Sequence, residues 1–153
     1  MGRQRVDAAL GALARRRVDL SSAHFGLAFQ QSEAPDDTGA VRGCRFAISA
    51  PKRQLKRAVD RNALKRVARE AWRLAPWPET GRPQVAMLKL RRSEPDWKTI
   101  GRPSLKKVWR AEIDELVVRL IRRLSARDAG PRAASAPAVP SVHAGALPGS
   151  RSQ

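Results

Sequence analysis

The spacing of apolar residues changes character in the middle of the chain, and that change constrains the fold more than any other feature. In residues 23–30, AHFGLAFQ, Phe25, Leu27 and Phe29 fall at every second position, the pattern of a strand that buries one face. The segment EAPDDTG supplies a turn or loop, and CRFAISA resumes an extended apolar pattern, so two neighbouring antiparallel strands are expected. After Pro51 the period becomes 3.6 and runs to about Leu74, where APWPETGRP stops the helix with three prolines and a glycine. PQVAMLKL then reads as a third strand.

Helical spacing brackets this middle. In residues 5–16, Val6, Leu10 and Leu13 mark a short first helix despite Gly11. From Ser104, an N-cap candidate, to about Arg127 the apolar positions run from Leu105 through Trp109, Ile113, Leu116 and Leu120 to Leu124, a long amphipathic helix packed on the sheet. The order helix, two strands, helix, strand, helix points to an α+β fold, a small two-layer sandwich of a mixed sheet with packed helices, over residues 1–127. In residues 128–153, 18 of 26 positions are Ala, Pro, Ser or Gly with no periodic apolar face, the composition of a disordered tail.

Charge narrows the partner. The chain carries 31 Lys and Arg against 14 Asp and Glu, a formal charge of +17, and self-repulsion of that size is most easily understood if phosphates neutralise it. A membrane surface is the competing polyanion, but no apolar run approaches the length of a spanning helix or a secretory segment. A soluble, cytoplasmic protein without a membrane partner is therefore expected. The lone Cys44 rules out an intramolecular disulfide, and His24 and His143 have no ligand spacing to one another or to cysteine, so no structural zinc site is expected. Asp60, Glu70, Glu94, Asp96, Glu112, Asp114 and Glu115 are scattered, which argues against a stand-alone nuclease with its own metal ligands or base.

Residues 52–73 hold nine basic side chains and only two acidic ones, Asp60 and Glu70. On a helix, Val59, Ala63, Leu64, Val67, Ala71 and Leu74 fall on one arc, and Arg61, Asn62, Lys65, Arg66, Arg69, Trp72 and Arg73 on the other. Arginine forks meet phosphates bidentately, lysine adds a movable charge, and Asn62 both donates and accepts toward sugars or base edges. Trp72, at the edge of the arc, suits a stacked base and a core position equally well.

The order of these residues adds what composition cannot. The run R-N-x-x-K-R-x-x-R-E, Arg61 to Glu70, resembles the RNR motif of the bacterial ribonuclease P protein component. CRFAISAPKRQLKRAVDRN upstream and AWRL downstream are similar to that family's strand, paired basic residues and helix, so the close likeness covers residues 45–74. The resemblance implies a fold like the second domain of ribosomal protein S5, with a left-handed βαβ crossover carrying the motif helix. It implies RNA binding by Lys52, Arg53, Lys56, Arg57, Arg61, Asn62, Lys65, Arg66, Arg69 and Arg73. Its partners would be ribonuclease P RNA and precursor tRNA. The protein would assist hydrolytic removal of the 5′ leader, the Mg2+ ions that carry the chemistry being held mainly by the RNA.

The family's leader cleft lies between the sheet and the first helix. Where that helix usually presents phenylalanines, this chain has Leu10 and Ala14, leaving Phe25 and Phe29 as candidate cleft residues. Ala47 stands where the family commonly has glycine. A structural, ribosomal-type RNA-binding protein without a role in cleavage is the alternative reading, and the full motif order favours the first.

Overall fold

A computed structural model describes residues 2–31, 44–78 and 81–129. Its elements in chain order are α1 (Gly2–Arg15), β1 (Leu20–Ser21), β2 (Phe25–Gln30), β3 (Arg45–Ser49), α2 (Ala58–Leu74), β4 (Val85–Leu90), a 3-10 turn (Pro95–Lys98) and α3 (Arg102–Ala129). The loop expected at 33–39 and the tail from residue 130 onward lie outside the described residues.

The last strand in sequence occupies the interior of the sheet, whose order is β1-β2-β4-β3. β4 pairs antiparallel with β2, Leu27 opposite Leu88, and parallel with β3, Ala47 opposite Met87. The expected pairing of β2 directly with β3 is therefore not formed. The reason lies in the side chains: Val85, Ala86, Met87, Leu88 and Leu90 are all buried, so β4 needs cover on both faces and a neighbour on both edges. Every residue of β3 is only partly buried, which suits the edge. β3, α2 and β4 make a parallel crossover, and β1 is a two-residue strand that period reading does not reveal.

Alternation sorts the sheet's two faces. Phe25, Leu27 and Phe29 of β2 and Ala86, Leu88 and Leu90 of β4 pack with Leu64, Ala68 and Trp72 of α2 and with Trp109, Ile113 and Leu120 of α3. This is the α+β sandwich expected from the element order. Val85, Met87 and Ala28 point the other way and meet Leu13 of α1, so the first helix covers part of the opposite face. The Lys89 ammonium donates to the carbonyls of Ala14 and Arg16 (2.9 and 2.7 Å) and so caps the end of α1. Loss of hydration, then the nearby Arg16 charge, hold its pKa below the usual lysine value, against a smaller opposing pull from Asp19.

Helix α2 begins at Ala58, six residues after Lys52, where the helical period sets in. Residues 51–55 form a single turn, with the Gln54 and Leu55 amides donating to the Pro51 carbonyl, and Arg57 is extended (φ −77, ψ 130). Tertiary anchors impose this break. Leu55 is buried, and the Gln54 amide donates to the Arg91 carbonyl while its oxygen accepts from the backbone and hydroxyl of Ser93. α3 begins at Arg102, so Ser104 lies inside the first turn instead of capping it; Pro103 is tolerated there because the first helical N–H groups have no intrahelical acceptor. After α2, Gly81 adopts φ 99 in the turn that returns the chain to β4. Burial, opposed by the Arg82 charge, pushes the Cys44 thiol up to about 11, so it stays protonated at neutral pH. No helix among the described residues is long and apolar enough to cross a membrane.

Candidate nucleic-acid interface

The buried stripe of α2 is Ala63, Leu64, Ala68, Ala71 and Trp72, rotated from the arc that period alone suggests. Val59 and Leu74, expected to face the core, are 48% and 54% exposed. Trp72, placed on the polar arc by sequence, is buried and lies flat against Phe46 with ring centroids 4.2 Å apart. An indole sandwiched in the core has no free face for a base, so Trp72 is a packing residue. Phe25 and Phe29 are likewise buried beneath α2 and α3, because their shared strand face is the one those helices cover. Neither offers a ring to a leader, and their assignment to a cleft is corrected.

Rotation of the helix sets which polar side chains point outward. Asn62, Arg66, Arg69 and Arg73 are exposed and recur at helical spacing, forming one outward stripe flanked by the half-buried Lys65. Arg61 turns back instead. One of its guanidinium nitrogens donates to the carbonyls of Leu55 and Lys56 (2.8 and 2.7 Å), fastening the 51–57 turn to the helix. That turn displays Lys52, Arg53, Lys56 and Arg57, all exposed, beside a helix N-terminus with no side-chain cap.

The two carboxylates of α2 are drawn to the other side. Asp60 meets Arg102 at 3.4 Å and Glu70 meets Arg110 at 3.8 Å, both from α3. Among the described residues, no carboxylate lies within ion-pair distance of any of the nine cations between Lys52 and Arg73. The result is a cationic face with no neutralising carboxylate among the described residues, able to accept phosphates along the helix and at its start.

Residues 93–102 fold against the 51–57 turn and form with it an open cavity of about 730 Å3. This brings Lys98 and Arg102 beside Arg53, Lys56 and Arg57, a convergence that sequence reasoning missed. The available signal was weak: two cations near Trp97 in a segment punctuated by Gly101 and Pro103. Behind the cavity, His24 is fixed between two carboxylates, Nδ1 2.8 Å from Glu112 and Nε2 3.1 Å from Glu94. Glu112 also accepts from the His24 backbone amide. Burial raises the Glu112 pKa, but hydrogen bonds from Ser22 and from the His24 amide and ring outweigh it and hold the carboxyl below its usual range. The trio ties the β1–β2 turn, the 93–102 segment and α3 together. Among the described residues, no group of three His, Cys, Asp or Glu side chains is placed to hold a metal ion.

A family model described as Ribonuclease P matches residues 10–123, from within α1 through the cationic face to the last turns of α3. No curated protein and no solved structure matches the chain.

Proposed function

The chain belongs to the ribonuclease P family as a protein component, and from that premise we propose that it grips the catalytic RNA through α2 and the turn before it. In this reading Arg66, Arg69 and Arg73 engage phosphates along one stripe, Asn62 contacts sugar or base edges, and Lys52, Arg53, Lys56, Arg57 and Lys65 widen the contact. Arg61 acts as a positioning residue that holds the turn, with its remaining guanidinium nitrogens toward RNA. The bound complex removes the 5′ leader of precursor tRNA in the cytoplasm by phosphodiester hydrolysis. In this reading Mg2+ is held mainly by the RNA, as the family likeness implies. The leader lies between α1 and the sheet, as the family likeness implies, held by its backbone and not by stacking on Phe25 or Phe29.

The single observation that carries this reading is the removal of both α2 carboxylates to α3, which leaves the nine cations of residues 52–73 without a carboxylate partner among the described residues. Rescue of 5′ maturation is the test: the protein is added to a bacterial ribonuclease P RNA and precursor tRNA at low magnesium. Restored cleavage is expected, with none by the protein alone. Tight RNA binding with no gain in maturation would favour the ribosomal-type alternative.

A further inference from the structure

The cavity between the 51–57 turn and the 93–102 segment has a chemistry that an outward cationic stripe does not require. Its walls include apolar groups: Leu55, Trp97 and Leu105 are buried, while Ile100 remains 37% exposed. Around them stand Arg53, Lys56, Arg57 and Lys98, all exposed. The two carboxylates that also line it are engaged, Asp60 with Arg102 at 3.4 Å and Glu94 with His24 at 3.1 Å. The walls are tied in place by Gln54, whose amide is spent on Arg91 and Ser93, and by Arg61 through the Leu55 and Lys56 carbonyls.

A bare phosphate has no use for the apolar surface, and an apolar ligand has no use for the cations. A nucleotide uses both, since its base has apolar faces and its phosphates are anionic. About 730 Å3 is also within the roughly 300–1,000 Å3 range of pockets that enclose small organic groups. We infer that this cavity receives one unstacked nucleotide of a single-stranded RNA segment, with the base against the exposed Ile100 and its phosphates toward the cationic rim. Because the Gln54 amide is occupied, it does not read the base edge, and the pocket is tolerant of base identity. The inference rests on the RNA-binding reading of α2 and extends that interface around the start of the helix.

Binding of the full chain to a fluorescent single-stranded RNA hexamer, to an abasic hexamer with the same sugar-phosphate backbone, and to a bacterial ribonuclease P RNA tests it. The hexamer is expected to bind about tenfold more tightly than its abasic counterpart, the scale of burying one base face against an apolar side chain. Ile100→Glu puts a carboxylate on the apolar wall at a partly exposed position and should bring that ratio near one, with circular dichroism unchanged. Ile100→Ala, expected to reduce the ratio severalfold, serves if the glutamate variant unfolds. Equal binding of both hexamers by the unaltered protein, or a full tenfold preference retained in a folded Ile100 variant, would overturn the pocket while tight, salt-sensitive binding of the long RNA left the α2 reading intact. Failure to bind the long RNA and both hexamers would overturn both.

Discussion

Helices α2 and α3 are both rich in arginine, yet they spend it differently. On α3, Arg102 faces Asp60, Arg110 grips both oxygens of Asp114 (2.9 and 2.8 Å) and approaches Glu70, and Arg119 and Arg123 donate to the carbonyls of Ser21 and Asp19 (2.8 and 3.2 Å). On α2, among the described residues, Arg61 is the one cation committed to protein acceptors, while Arg66, Arg69 and Arg73 stand clear of every described carboxylate. Side-chain type is the same; acceptor supply is not. α3 runs beside β1 and the acidic edge of α2, where carbonyls and carboxylates lie within reach, whereas the outward stripe of α2 points away from the protein. A count of basic residues therefore says little about which of them serve a partner. The packing of the helix decides that.

The sharpest way to break this contrast is to remove the free set. Replacing Arg66, Arg69 and Arg73 together by alanine should weaken RNA binding by about a hundredfold or more, with the slope of log affinity against log salt shallower by about 2–3 if each side chain releases one counterion. Thermal stability should be unchanged or slightly higher, since alanine is the better helix former. Salt-dependent titration and a melting curve read both quantities; full affinity with an unchanged slope would place the RNA elsewhere.

The committed set should behave in the opposite way. Arg119→Ala combined with Arg123→Ala removes two exposed side-chain to backbone hydrogen bonds that hold β1, and should lower unfolding free energy by about 1 kcal/mol in denaturant titration. Its effect on the salt slope should be well below that of the α2 variant. A larger loss of RNA affinity than of stability would show that α3 belongs to the interface.

The smallest effect concerns the latch behind the cavity. The Glu112 carboxyl is held below its usual range in the folded protein, so it contributes stability above its unfolded pKa of about 4.3, and that contribution disappears as pH falls through the folded value. Melting temperatures followed from pH 6 to pH 3 should show the unaltered protein more stable than Glu112→Gln at pH 6, with the gap narrowing below about pH 4.5. A gap that stays constant across this window would mean the ionised form is not the one His24 and Ser22 hold.

Much of this molecule is legible in its residues. Period changes locate three helices and three of the four strands, because burial of one face forces apolar spacing to match the backbone repeat. The run from Arg61 to Glu70 points to the family, and the cationic segment 52–73 is visible as charge. Boundaries were less accessible: α2 starts at Ala58 because Gln54 is hydrogen-bonded to Arg91 and Ser93, 37 and 39 positions away, and local propensity carries no such information.

Local spacing and charge order, then, determined the elements, their amphipathic character and the identity of the motif, since these depend on neighbours within a few residues. Tertiary structure alone decided that β4 enters between β2 and β3, that Trp72 packs on Phe46 instead of facing a base, and that Arg61 turns inward. It also decided that α3 draws Asp60 and Glu70 away from the cationic face. Each of these depends on which distant surface is nearest once the chain is closed. A helical position at the margin of the apolar arc differs from its neighbour by only a small rotation, and the packing of the partner element settles which side it falls on.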